Sequence, residues 1–393
     1  MKWEKVRLGE LYSVHNGLSK GSKFFGTGYP FLSFSTVFNN YFIPDELTDL
    51  VQSNEKEQDN YSILRGDVFV TRTSETSDEL GMSCVALKDY PNATYNGFTK
   101  RMRPIDNNRV LPEYIGYYMR TPLFRGEFRA FSTMTTRASL KNEDLLGLTV
   151  ALPPVEVQKK IANILRHYDQ LIENNQKQIK FLEESSQRLY KEWFVDLRFP
   201  GYENVEIING VPEGWKKEKL LDIADVQYGF AFDSSLFNSK GKGIPIIRIR
   251  NIPNGTTNDY TTQDADEQYI VSNGDIIVGM DGEFHINSWC GKTAYLVQRT
   301  CKFSPKNELM RGWLLHAIYG PIKFFEKTVV GATVAHLGKK HIETIDLLTG
   351  PYDLYIPFKE LFDKRQLLLN QNILLAEARD RLLFKLMSGE IEA

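Results

Sequence analysis

The chain repeats itself once, and that repeat limits its architecture more than any other feature of the 393 residues. Trp3, Leu8, Leu11, Val14 and Gly17 recur at one constant offset as Trp215, Leu220, Ile223, Val226 and Gly229. Gly28-Tyr29-Pro30-Phe31 answers to Gly243-Ile244-Pro245-Ile246, and Gly66-Asp67-Val68-Phe69-Val70 to Gly274-Asp275-Ile276-Ile277-Val278. The last pair reads as a turn feeding a buried strand. An apolar, helix-like run ending near Pro122 matches one ending near Pro321, and Thr136-Arg137-Ala138-Ser139-Leu140 matches Thr333-Val334-Ala335-His336-Leu337. Blocks kept in one order, with free variation between them, predict one scaffold used twice with two sets of loops.

Each half closes in a long helical segment. After Pro154, residues Ile161, Leu165, Tyr168, Ile172, Asn175, Ile179, Leu182, Ser186, Leu189 and Trp193 alternate at the spacings of a coiled-coil seam. After Pro357, residues Phe362, Gln366, Leu369, Ile373, Ala376, Asp380, Leu383 and Met387 do likewise. The first helix is expected to stop near Arg198, because Phe199-Pro200-Gly201 cannot continue it. One such helix would be read as packing on its own domain, whereas two of matching length, each closing one copy, are read as packing on each other. Asn175 and Asn372 then stand either as buried amides fixing the register or as exposed residues.

Antiparallel pairing would relate the two heads by an approximate two-fold axis and hold them apart along a rod. A helix of about 35 residues is ~50 Å long, against ~34–36 Å for a turn of B-DNA. If DNA is the ligand, heads with unlike loops would read two unlike half-sites across an unread spacer, so the target would be bipartite and non-palindromic.

A net charge of −2 counts against a simple nucleic-acid binder, so positive surface has to be local. Between 98 and 141 stand Lys100, Arg101, Arg103, Arg109, Arg120, Arg125, Arg129, Arg137 and Lys141 against only Asp106, Glu113 and Glu127. The segment 234–258 holds Lys240, Lys242, Arg248 and Arg250. Ile246–Asn251 alternates as a strand that puts Arg248 and Arg250 on one face, suited to guanine, with Asn251 suited to adenine. Its counterpart in the first half puts Ser33 and Ser35 there instead. Further DNA-contact candidates are Lys20, Lys23, Arg72, Thr73 and Asn96 in the first half, with the Thr-rich turn of Thr135, Thr136 and Arg137. In the second half they are Tyr228, Asp281, His285, Asn287, Gln298, Arg299, His336 and Lys339.

No catalytic motif emerges. Gly291-Lys292-Thr293 has Ile286 where a phosphate-binding loop needs its leading glycine. A dinucleotide turn, a His-Glu-x-x-His and an amino-methyltransferase Asn/Asp-Pro-Pro-Tyr/Phe are lacking. His336 and His341 want a third metal ligand. Cys84, Cys290 and Cys301 form no Cys-x-x-Cys pair. No apolar run suggests a membrane span or secretory signal, so the expected location is cytoplasmic.

Leu152-Pro153-Pro154-Val155-Glu156-Val157-Gln158-Lys159-Lys160-Ile161, with the helix ending Trp193-Phe194, resembles the central conserved region of Type I restriction-modification specificity subunits. Leu382-Leu383-Phe384-Lys385-Leu386-Met387-Ser388-Gly389-Glu390-Ile391 resembles their distal one, and Gly-Ile-Pro-Ile-Ile-Arg-Ile-Arg-Asn their target-recognition domains. The resemblance implies an α+β chain: mixed α/β target-recognition domains at 1–152 and 200–353, and spacer helices at 153–199 and 354–393 forming an antiparallel coiled coil. It also implies a non-catalytic subunit that binds double-stranded DNA together with two methyltransferase subunits using S-adenosylmethionine and two restriction subunits using ATP and Mg. The second helix junction departs from the family, since Leu348–Leu354 lacks the Pro-Pro-x3-Gln pattern. The competing readings are a coiled-coil protein scaffold without DNA specificity and a stand-alone enzyme with an unrecognised site.

Overall fold

A computed structural model describes residues 3–73, 80–132, 140–328 and 335–392. The chain is α+β and divides into two compact units, Met1–Gln170 with Ala376–Ala393, and Leu171–Leu375.

In the first unit, Glu4–Arg7 pairs antiparallel with Thr149–Leu152, so the head opens and closes on neighbouring strands. Between them lies an antiparallel sheet in the order Tyr12–Asn16, Thr99–Pro104, Val68–Thr71, Ser83–Val85. The second unit repeats both features: Lys216–Lys219 pairs with Asp346–Thr349, and Ala224–Tyr228, Thr300–Pro305, Ile276–Gly279 and Ile286–Ser288 follow in the same order. Even the register agrees, with Val14 and Val68 facing Met102 where Val226 and Ile276 face Phe303. A smaller sheet in each unit sets Phe25–Leu32 parallel to Thr94–Tyr95 and Ile244–Ile247 parallel to Ala294–Leu296.

The expected repeat is therefore a repeat of topology. Its glycines have a steric cause. A Cβ at Gly17 would lie 2.0 Å from the Asn96 carbonyl oxygen, and one at Gly229 would lie 2.1 Å from that of Val297.

The first unit's core joins Val68, Val70, Met102, Tyr114 and Phe124 to Ile161, Leu165, Leu383, Leu386 and Met387 of the long helices. That of the second gathers Trp215, Leu220, Ile276, Phe303 and Trp313 with Phe194 and Phe358.

The first long helix runs Val155–Tyr190 and ends in a π-turn, Lys191–Val195. At its start the buried Gln158 accepts from Leu111 N–H (2.9 Å) and donates to the carbonyls of Arg109 (3.1 Å) and Pro153 (2.9 Å). The glutamine of the Pro-Pro-x3-Gln pattern thus ties the helix to its head. At the divergent junction before Ile356–Ser388, Gly350 N–H donates to the Tyr355 hydroxyl instead (3.0 Å).

Within each unit, the segments of the two helices pair antiparallel. Within the first unit Arg379 meets Asp169 at 2.6 Å. Within the second, Asn175 donates to Asn372 at 3.0 Å and Arg365 meets Glu183 at 2.6 Å. Of the open alternatives for Asn175, the partly buried amide pair is the one found. One expected seam position is corrected: Asp380 is exposed, and its neighbour Arg379 turns inward. A straight helix drifts against a 3.5-residue repeat, and a carboxylate without a buried partner stays in water.

Among the described residues, no helix is long and apolar enough to cross a membrane and no cluster of His, Cys, Asp and Glu fits a metal ion.

Candidate nucleic-acid interface

In each unit, segments far apart in sequence converge on one four-residue turn, Asn96–Thr99 or Val297–Thr300. Thr99 N–H and Oγ1 donate to the Asn96 carbonyl at 2.9 and 2.7 Å. Thr300 N–H and Oγ1 donate to that of Val297 at 3.2 and 2.5 Å. The carbonyl of the third residue accepts from the end of the central strand: Arg72 N–H donates to Phe98 (2.9 Å) and Met280 N–H to Arg299 (2.8 Å). The strand end accepts in turn, from Leu140 N–H onto Arg72 and from Leu337 N–H onto Met280. The candidates Arg72, Thr73 and Asn96 are thus gathered at one edge of the first unit, and Asp281, Arg299 and His336 at the matching edge of the second. Thr135, Thr136 and Arg137 lie outside the described residues.

In the second unit Asp281 accepts from Arg299 and from His336 Nδ1 (2.5 Å). Its side chain is 12% exposed, while those of Arg299 and His336 are 67% and 59% exposed. Burial works to raise the Asp281 carboxyl, but the bonds from His336 and Arg299 outweigh it and hold the group below the ordinary range. Gln298 and Lys339 are exposed nearby in sequence, and Lys339 stands 3.9 Å from Glu343. His285 is half-buried, 3.7 Å from Glu283. Tyr228 is half-buried, and desolvation pushes its hydroxyl up to about 12.

A second polar patch surrounds Ile249–Asn251. Here the expected strand is corrected, since extended pairing ends at Ile247 and Ile249–Asn251 is a 3-10 turn. Asn251 accepts from Arg248 N–H (2.8 Å), making it a cap rather than an outward strand residue. Arg250 engages Asp259 through both Nε and Nη2, and Arg248 lies over the Phe237 ring. Lys240 and Lys242 are exposed on a loop whose backbone N–H groups both donate to Asn238. The first unit breaks its strand at the same place: Leu32 ends it and Ser33 caps Phe34–Asn39, accepting from Thr36 N–H. Ser35 therefore lies on a helix and bonds Asn39. A side-chain cap at the first turn satisfies N–H groups that a continuing strand would have paired.

Part of the charge-rich stretch 98–141 turns inward, while Arg109 and Lys141 are exposed. Lys100 and Arg101 are 6% and 8% exposed. Lys100 donates to Asn142, and Arg101 to the Ser62 carbonyl at 2.7 Å. Desolvation lowers the pKa of both. Arg103 grips Asp67, Arg120 donates to the carbonyls of Ser83, Val37, Phe38 and Asn40, and Arg125 to that of Leu80. These guanidinium groups bind the head's own backbone, so they add little to its surface. Asn287 also serves the interior, donating to the Ile252 and Pro253 carbonyls while accepting from Arg365.

On the remaining loop, Lys20 bridges the Gln52 carbonyl and Glu57 (2.7 Å), and Lys23 is exposed with its ammonium 5.1 Å from the Phe24 ring centroid. Phe98, 61% exposed, is a site feature that charge counting passed over. The repeated strand order sets it opposite Arg299, each one residue before the strand Thr99–Pro104 or Thr300–Pro305.

Comparison with known proteins agrees with this duplicated plan. The chain is 25% identical over 420 aligned positions to the Type I restriction enzyme MjaIX specificity subunit of Methanocaldococcus jannaschii, covering 99% of this chain and 93% of that one. It is 30% identical over 176 residues to the Type I restriction enzyme EcoBI specificity subunit of Escherichia coli, a match spanning 44% of this chain and 35% of that relative. The crystal structure of the Type I restriction-modification S subunit from M. genitalium shares its fold with a TM-score of 0.55 at 16% identity, over 98% of this chain and 96% of that chain. Residues 1–184 and 212–349 match the profile of the Type I restriction modification DNA specificity domain, and the chain belongs to that family of specificity subunits.

Proposed function

We propose that this chain reads DNA sequence for a Type I restriction-modification complex, binding a bipartite, asymmetric duplex site and positioning two methyltransferase and two restriction subunits. One observation carries the reading: two heads of one topology present different side chains at equivalent places, Ser33 against Arg248 and Phe98 against Arg299. A scaffold that bound one protein partner twice would gain nothing from unlike tips. Two unlike half-sites require them. The chain itself contributes recognition and no chemistry, acting in the cytoplasm. S-adenosylmethionine, ATP and Mg belong to the partner subunits. In this reading residues 1–152 and 200–353 are the recognition domains, with 153–199 and 354–393 as the conserved helices.

The test is to express the chain with its methyltransferase partner and map methylated adenines genome-wide. The expected pattern is one two-part, non-palindromic sequence. Methylation without sequence preference, together with salt-insensitive or absent duplex binding, would favour the protein scaffold.

A further inference from the structure

Phe98 and Arg299 hold equivalent positions, each one residue before the threonine that closes its turn, although only Arg299 is left-handed there and Phe98 N–H is held by the Asn96 side chain (2.7 Å). Both turns are closed by a threonine on the carbonyl three residues earlier, and a glycine backs each, donating from Gly17 to Thr99 O (3.2 Å) and from Gly229 to Thr300 O (3.0 Å). The two turns share only their threonine, and in both copies the side chain at the third position is left in solvent. A phenyl ring held in solvent on a hydrogen-bonded turn forgoes burial that would otherwise stabilise the head. Arg299 adopts φ +69, a conformation uncommon for a non-glycine residue and frequent where function holds it. Its guanidinium is oriented by Asp281, which His336 holds from the other side.

We propose that these turns are the base-reading tips of the two heads. Phe98 makes an apolar contact with a thymine methyl in one half-site, and Arg299 donates to the acceptor pair of a guanine in the other, with Asp281 as its positioning residue. The inference rests on the DNA-reading function proposed above.

The experiment uses the chain assembled with its methyltransferase partner and a library of duplexes randomised at each recognised base pair. Arg299→Ala is expected to lose discrimination at one base pair of one half-site by about tenfold or more, leaving the other half-site as in the wild type. Asp281→Asn weakens preference at that same base pair. Phe98→Ala relaxes one position of the opposite half-site, and Phe98→Leu, which stays apolar, retains part of the preference. Unchanged preferences in Arg299→Ala and Phe98→Ala, or losses spread evenly over a whole half-site, overturn the assignment of the tips. A wild-type complex that selects no sequence overturns the DNA reading itself, a separate outcome.

Discussion

Gly17 and Gly229 show how a single position sets the shape of a head, since each lets one strand end pass against a turn carbonyl at a distance no Cβ tolerates. Gly17→Ala or Gly229→Ala should cost on the order of 3 kcal/mol, read as a lower urea midpoint for the altered head. Gly126→Ala, on the exposed side of the helix Pro122–Ser132 where an added Cβ meets nothing, serves as the control and should raise the midpoint slightly, by up to about 1 kcal/mol of stability, rather than lower it. These glycines were legible because the repeat printed them twice. The internal role of Lys100, Arg101 and Arg120 was not, because composition cannot distinguish a guanidinium that binds carbonyls from one that faces a phosphate. His316 illustrates the same limit. It bonds Ser186 at 2.6 Å beside a groove of about 800 Å³ lined by Leu182, Tyr190, Phe362 and Arg365. Desolvation, aided by Arg365, depresses its pKa from 6.5 to about 4. The unfolded chain then takes up a proton that the folded one refuses, so stability is retained above pH 6.5 and lost as pH falls toward 4. The loss should be on the order of 2 kcal/mol, allowing for solvent screening. His316→Gln, compared with the wild type in urea melts at pH 7 and pH 4.5, should flatten that dependence.

At the scale of elements, the helices were the most readable part, because an apolar stripe of three- and four-residue steps has few other uses. Their ends and exact phase were less so. Gln158 looked like part of a motif and proves to be a three-bond latch, so Gln158→Ala should leave Leu111 N–H and two carbonyls without that partner and cost about 2 kcal/mol. Thermal unfolding followed by circular dichroism will show it. The Asn175–Asn372 bond is made by a buried Asn175, one helical turn before the buried Ile179. Replacing both with leucine is expected to raise the melting midpoint while weakening the choice of one register, which paired cysteine cross-linking at shifted positions would reveal. Ser33 and Arg248 mark the converse error. Alternation carried the expected strands past Leu32 and Ile247, but capping groups at Ser33 and Asn251 ended them.

On the scale of the whole molecule, the duplicated plan was legible in the sequence, whereas the assignment of residues to compact units was not. The sequence divides the chain by function into heads and helices, but packing divides each long helix between two units. Exchanging residues 1–152 for those of another family member should therefore keep the closing pair Glu4–Arg7 with Thr149–Leu152 intact and change one half-site alone. Methylome sequencing of the hybrid checks this, and loss of both half-sites together would contradict independent heads. The packing of Leu383, Leu386 and Met387 against Ile161 and Leu165 also governs the order of synthesis. On the ribosome, the opening unit emerges first yet waits for the second unit to be translated before its last hydrophobic pieces arrive. A message cut short after the second head would thus yield a polypeptide with an unfinished surface on the portion made earliest, inviting chaperones or proteases before any partner subunit could capture it.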